Sequence, residues 1–301
     1  MGMFQGAWPA LLTPFTADDQ VNYPVLHRLV EYLLSKGIGG FYVCGSTGEG
    51  VYMSLEERKR VTAAVVEQVA GRVPVIVHVG TMVARDAVEL ATHAQQSGAD
   101  AIASIIPPQF ASVPSIVDYY TALSKAAPNI PLLSYIFGGP TDAVALMRAL
   151  MHIPTIAGSK YTGPNMHEFR LLLDLETEYK GPYQWTVFSG MDEECYFASL
   201  LGAHGNIGST LNYMPGTYRC IHEARVSGDV ARGTDLQVRA NRITQILFEY
   251  GFMGAMKKEV MARLGFDCGQ PRLPHRPFDA ERRDALHKAL DAAGFDELAA
   301  M

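Results

Sequence analysis

Thr155-Ile156-Ala157-Gly158-Ser159-Lys160-Tyr161-Thr162 places a lysine at the end of a short apolar run, where a parallel strand reaches the mouth of an α/β barrel. An amine held among apolar neighbours is destabilised as a cation, its pKa falls, and it becomes a nucleophile able to form a Schiff base with a ketone. The plain alternative is a strand-end lysine leaning into water. The other seven lysines, Lys36, Lys59, Lys125, Lys180, Lys257, Lys258 and Lys288, lie in segments that read as amphipathic helices or loops. A solvated ammonium is the expectation for each of them.

Outward from this run, short apolar stretches alternate with longer amphipathic ones, the rhythm of repeated β-α units around a parallel sheet. The stretches fall at Gly6 to Leu12, Gly40 to Cys44, Val75 to Val79, Ala101 to Ile106, Pro131 to Tyr135, Thr155 to Lys160, Thr186 to Ser189 and Gly205 to Ser209. Eight such strands close a (β/α)8 TIM barrel. Between them, Ser54-Leu55-Glu56-Glu57 is a capping box opening a helix to Val69, and Arg85 to Gln96 carries apolar residues at helical spacing. From about Arg219 the strands stop, and Glu223 to Ser227, Gly233 to Tyr250, Met253 to Leu264 and Asp279 to Ala293 read as helices. The expected organisation is a barrel over residues 1–218 and a C-terminal helical region over 219–301 packed on it.

The 301 residues are 48% hydrophobic and 19% charged, enough to bury a large core. A net charge of -6 offers no general attraction to nucleic acid or anionic lipid, so neither is an expected partner. Cys44, Cys195, Cys220 and Cys268 show no C-x-x-C pair, and free thiols in a reducing compartment are the simpler reading. The first residues carry no basic region followed by an apolar stretch, and no run of about 18 apolar residues occurs. A soluble cytoplasmic protein is expected.

In such a barrel the residues just after each strand carry the chemistry. After the second strand, Gly45-Ser46-Thr47-Gly48-Glu49-Gly50 can turn tightly and present N-H groups and two hydroxyls to one carboxylate. A Gly-rich turn that merely caps its own backbone reads equally well from this motif alone. Tyr135, at the end of the fifth strand, can move a proton where neighbouring hydroxyls or amines favour its ionised form; tyrosine is also a common packing residue in strands. Ser189-Gly190-Met191-Asp192-Glu193-Glu194 and Gly205-Asn206-Ile207-Gly208-Ser209-Thr210 bring carboxylates and hydroxyls that suit a polyhydroxylated substrate, or that simply face a helix dipole. Among nine histidines there is no H-E-x-x-H, so no metal site is expected. His78, inside an apolar run, reads as a hydrogen-bonded core residue.

Taken together and in this order, the segments from Pro9-Ala10-Leu11-Leu12-Thr13-Pro14-Phe15 through Gly45-Ser46-Thr47-Gly48-Glu49 and Lys160 to Pro271-Arg272-Leu273-Pro274 resemble the class I pyruvate-dependent aldolases and lyases. That family includes dihydrodipicolinate synthase and N-acetylneuraminate lyase, and the resemblance covers nearly the whole chain. It implies a (β/α)8 barrel with a C-terminal helical region, a homotetramer built as a dimer of dimers, and no metal or organic cofactor. It also implies that Lys160 is the Schiff-base lysine for a 2-oxo acid, that Ser46 and Thr47 bind the carboxylate, and that Tyr135 shuttles a proton.

Gly190-x-Asp192-Glu193, Gly208-Ser209-Thr210-x-Asn212 and Thr162 resemble the N-acetylneuraminate lyase subgroup, in which these groups contact a sugar's hydroxyl tail. Pro140 stands where the synthases carry an arginine. The chain departs from the family at Ile136-Phe137-Gly138, in a shortened segment between Tyr135 and Lys160, and at Gln109-Phe110, where relatives place two tyrosines. The implied activity is reversible cleavage of a 2-oxo sugar acid, most like N-acetylneuraminate, to pyruvate and an aldose. The alternatives are a 2-keto-3-deoxy sugar acid aldolase or dehydratase, a dihydrodipicolinate synthase-like enzyme, and a catalytically silent 2-oxo-acid-binding protein.

Overall fold

Eight parallel strands form one sheet in the order β1-β8-β7-β6-β5-β4-β3-β2. They are β1 (Gly6–Pro9), β2 (Phe41–Val43), β3 (Val75–His78), β4 (Ala101–Ile105), β5 (Leu132–Phe137), β6 (Ile156–Thr162), β7 (Thr186–Ser189) and β8 (Gly205–Gly208). A parallel bridge from Ala10 to Tyr42 brings the first strand back to the second and closes the ring. Each of the eight apolar stretches is a strand, and the architecture is a (β/α)8 barrel with additional C-terminal helices. The computed structural model describes residues 2–106, 112–137 and 142–301. Gln109, Phe110, Gly138 and Pro140 lie outside the described residues.

Alternation along the strands sorts side chains between two layers. Trp8, Tyr42, Ile76, Ala103, Leu133, Phe188 and Ile207 fill the barrel, with Trp8 and Phe188 edge-to-face at 5.3 Å. Residues of opposite parity, such as Val43, Val77, Leu132 and Val187, pack outward against the helices. β6 breaks this alternation. The register runs Leu132 to Ile156 but then Ser134 to Ser159, so one extra residue is inserted. Gly158 has φ 132°, and a Cβ there would lie 1.8 Å from the Thr186 carbonyl oxygen; only glycine fits the bulge. In a regular strand Lys160 would share the face of Ile156, which is packed outward. The bulge reverses the parity and turns the lysine inward with Ala157.

The barrel helices are α1 (Tyr23–Ser35), α2 (Leu55–Val69), α3 (Ala84–Gln96), α4 (Val113–Ala126), α5 (Ala143–Leu150), α6 (Met166–Asp174), α7 (Cys195–Leu200) and α8 (Pro215–Ser227). The Ser54/Glu57 capping box is formed in both directions. The expected helix from Glu223 is only the end of α8, which starts at Pro215. Its first turns escape an amphipathic reading because Pro215, Gly216, Thr217, Tyr218, Cys220 and Ile221 are all buried.

Beyond α8 come α9 (Val230–Glu249), α10 (Phe252–Ala255), a π-helical turn (Met256–Val260), α11 (Met261–Arg263), α12 (Arg283–Ala292) and α13 (Phe295–Ala300). The expected continuous helix from Met253 to Leu264 is thus interrupted by a π turn, and that turn carries a correction. Lys257 is not solvated: its side chain is fully buried against Glu49. Long-range pairing cannot be seen in helical spacing, which is why the segment resembles a surface helix. No described helix is long and apolar enough to cross a membrane.

Candidate active site

Strand register makes Lys160 and Tyr135 direct neighbours, and Phe188 flanks the lysine from β7. The lysine is 6% exposed. Its Nζ lies 4.4 Å from the Tyr135 ring centre and 4.8 Å from that of Tyr42, in contact with π faces and without an ion pair among the described residues. Burial pulls its pKa down from 10.5 to about 8, opposed by the attraction of the Asp192 carboxylate. The Tyr135 phenol is pushed up to about 12 by burial, partly offset by the Thr162 and Ser46 hydroxyls beside it. It therefore rests as a neutral O-H donor at neutral pH.

The loop after β2 wraps one side of this pair. Glu49 adopts φ 56°, and its N-H donates to the Ser46 carbonyl at 3.0 Å while Gly50 N-H donates to Gly45 at 3.1 Å. The Thr13 hydroxyl donates to the Gly48 carbonyl at 2.7 Å. Ser46 is left exposed and Thr47 half-buried, so the turn is fixed from behind while its hydroxyls remain available.

On the other side, Gly190 and Gly208 are positions of close approach. A Cβ on Gly190 would fall 1.8 Å from Thr162 Oγ1 and 2.8 Å from Lys160 Cε, and one on Gly208 would fall 1.4 Å from Asp192 Oδ1. Asp192 Oδ2 accepts from the Thr210 N-H at 2.9 Å and from its hydroxyl at 2.8 Å. Oδ1 is buried with no hydrogen-bond partner. Burial raises the Asp192 carboxyl to about 6, against the lowering effect of Thr210 and Lys160. Glu193 is half-buried beside it. An unpaired carboxylate oxygen at this depth can accept a hydrogen bond from a donor that enters the cavity.

Lys160, Tyr135, Ser46, Thr47, Thr162, Gly190, Asp192, Glu193, Gly208 and Ser209, scattered over more than half the sequence, all line one cavity of about 300 Å³. Thr210, from the hydroxyl-bearing turn after β8, also lines it, and so do Tyr42, Thr244, Phe248 and Phe252, which carry no signal of that role in the sequence motifs. Tyr42 shares the inward face of Ile76 and Leu133, a parity that strand alternation could have revealed. Phe248 and Phe252 stack at 4.9 Å across the α9–α10 junction. Nothing in their helical setting announces a role at the mouth of the barrel. His78 is a buried core residue whose Nε2 accepts from Ile105 N-H at 3.0 Å.

A (β/α)8 barrel with a buried lysine on its sixth strand, its pKa brought down to about 8, has the features of an imine-forming aldolase or lyase. The sequence profile of the dihydrodipicolinate synthetase family matches residues 3–293, and the chain belongs to that family. It is similar to N-acetylneuraminate lyase of Rhizobium meliloti, 33% identical over 290 residues that cover 95% of this chain and 94% of the relative. The solved structure of Proteus mirabilis N-acetylneuraminate lyase superposes with a TM-score of 0.90 at 33% identity, covering 98% of this chain and 100% of that one. A prophage protein of the dihydrodipicolinic acid synthase family from E. coli K12, solved in complex with pyruvate, gives a TM-score of 0.89 at 28% identity, covering 98% of this chain and 100% of its own.

Proposed function

We propose that this enzyme reversibly cleaves a 2-oxo sugar acid of the N-acetylneuraminate type to pyruvate and an aldose through an imine on Lys160. The observation that carries the reading is the lysine itself, buried, brought down to about 8, and facing a cavity that joins a hydroxyl-bearing turn to an unpaired carboxylate. The names of the relatives above support the choice of sugar acid.

In this mechanism the neutral Lys160 amine adds to the C2 ketone, and loss of water gives the iminium. Ser46, Thr47 and the backbone N-H groups of their turn hold the substrate carboxylate, fixing C2 against Nζ. The C4 hydroxyl gives its proton to the Tyr135 oxygen as the phenol passes its own proton to the adjoining Ser46 hydroxyl and on to solvent. The C3-C4 bond then breaks, its electron pair flows into the iminium to form an enamine, and the aldose leaves as an aldehyde. Protonation at C3 and hydrolysis of the imine return pyruvate and the free lysine. Asp192 Oδ1 and Glu193, with Thr162, Ser209 and the close backbones of Gly190 and Gly208, accept and orient the sugar hydroxyls.

Tetrameric assembly in a reducing cytoplasm belongs to the same proposal. The four described cysteines are buried and unbridged, and exposed Phe197 and Leu200 on α7 and Val230 and Val238 on α9 suit burial against other copies. Light scattering that returns a monomer would remove the tetramer.

The test of the activity is to add pyruvate and sodium borohydride and determine peptide masses. A reduced adduct on the Lys160 peptide is expected, and its absence overturns the mechanism. Pyruvate release from N-acetylneuraminate in preference to 2-keto-3-deoxygluconate then supports the sugar-acid assignment. The reverse preference assigns the six-carbon rival, and loss of water without an aldehyde assigns a dehydratase.

A further inference from the structure

Glu49 follows the Ser46-Thr47 pair by two residues, yet its side chain points away from the cavity into a fully buried ion pair with Lys257. Every oxygen of that carboxylate is taken by the C-terminal region: Oε1 by Lys257 Nζ, and Oε2 by the Arg272 N-H at 2.6 Å. Lys257 Nζ also donates to the Thr13 carbonyl at 3.0 Å, and the Thr13 hydroxyl in turn holds the Gly48 carbonyl at 2.7 Å. The ammonium lies 4.1 Å from the centre of the Phe15 ring.

The turn that carries Ser46 and Thr47 is therefore fixed at Gly48 through Thr13 and at Glu49 directly, both contacts of Lys257, with the Arg272 N-H holding the second Glu49 oxygen. Lys257 stands in the π turn that follows α10, and α10 carries Phe252 on the cavity wall. A buried ion pair adds little net stability over an apolar pair of the same volume, because both charges must be desolvated. What it does supply is a directional tether, and π turns recur where helices serve a site.

We propose that Glu49 and Lys257 are positioning residues, which hold the Ser46-Thr47 turn in register with Lys160 so that the carboxylate of the 2-oxo acid is bound with C2 over Nζ. This rests on the assignment of Ser46 and Thr47 as the carboxylate site. The pair touches no reacting atom, so its loss acts on binding before it acts on chemistry.

The experiment compares wild type with Glu49→Gln/Lys257→Met, Glu49→Asp, Lys257→Arg and Ser46→Ala/Thr47→Ala. It reads the pyruvate concentration that half-saturates borohydride trapping, the maximal trapping rate, and the melting temperature. Half-saturation is expected to rise about tenfold in Glu49→Gln/Lys257→Met, the loss of one charge-assisted tether, with the maximal rate falling less than about threefold. Lys257→Arg, which keeps the charge, is expected to recover most of the loss.

A double variant that melts earlier but half-saturates within about twofold of wild type overturns the proposal, because the pair is then only structural. Should the double variant not fold, Glu49→Asp decides alone: an unchanged half-saturation overturns the proposal and a raised one supports it. If Ser46→Ala/Thr47→Ala is also without effect, the carboxylate site itself is misassigned. If that variant raises half-saturation while the Glu49 and Lys257 variants do not, only the positioning role falls.

Discussion

Imine formation requires the neutral amine, so the pH dependence of trapping reports the Lys160 environment directly. With its pKa brought from 10.5 to about 8, about 9% of Lys160 is neutral at pH 7, against about 0.03% for an ordinary lysine, a gain of about 300-fold. The assay is the initial rate of adduct formation with pyruvate and sodium cyanoborohydride, a reductant that survives acid, followed by intact mass from about pH 6 to about pH 10. The rate is expected to climb with pH and level off near 8. In Asp192→Asn the carboxylate that favours the ammonium is gone, so the plateau should be reached at lower pH. A rate that keeps rising about tenfold per unit to pH 10 describes a solvated lysine and refutes the reasoning.

The same perturbation has a stability side. Between about 8 and 10.5 the unfolded chain binds a proton at Lys160 that the folded chain does not, so stability rises with pH through that window. Below about 8 the penalty is complete, on the order of 3 kcal/mol. Lys160→Met should therefore abolish trapping while stabilising the fold at pH 7 by about 1–3 kcal/mol, measured by urea denaturation; a destabilised variant contradicts a buried charge held at a cost.

Three further outcomes follow from the carboxylate side of the site. Cleavage of the sugar acid should lose activity as pH falls through about 6, where Asp192 takes up a proton, and Asp192→Asn should erase that inflection in a kcat/KM profile. Thr210→Val removes one of the two donors to Asp192 Oδ2; the inflection should move to higher pH and thermal or chemical denaturation should show a loss of about 1–3 kcal/mol. Gly208→Ala forces a methyl group into Asp192 Oδ1. It should cost about 1–3 kcal/mol of stability and lower sugar-acid turnover far more than pyruvate trapping, and equal losses in both assays would detach Asp192 from sugar recognition.

Local signals are legible where length and residue type suffice. The eight strands, buried on both faces, stand out as short apolar runs between longer amphipathic segments, the Ser54 capping box marks the start of α2, and α3 shows helical spacing. Legibility fails where a helix is buried nearly all round or where pairing is long-range. The first turns of α8 are buried on every side and show no amphipathic stripe. Lys257 sits at ordinary helical spacing, but its partner Glu49 is 208 residues away. Phe248 and Phe252 reach the cavity only because α9 and α10 pass over the barrel mouth.

Lys160 marks the division most sharply. By itself the sequence determined the barrel, the number of strands, and the set of side chains at their carboxyl ends, because those depend on residue type and spacing alone. Only the tertiary structure decided that the lysine faces inward: simple alternation would have turned it outward with Ile156, and the one-residue bulge at Gly158 reverses it. Only glycine fits that bulge, because the Thr186 carbonyl of β7 packs where a side chain would be. A glycine within a strand hints at a bulge, but the extra residue and the parity it reverses are defined by pairing with β5, which the β6 residues alone do not contain.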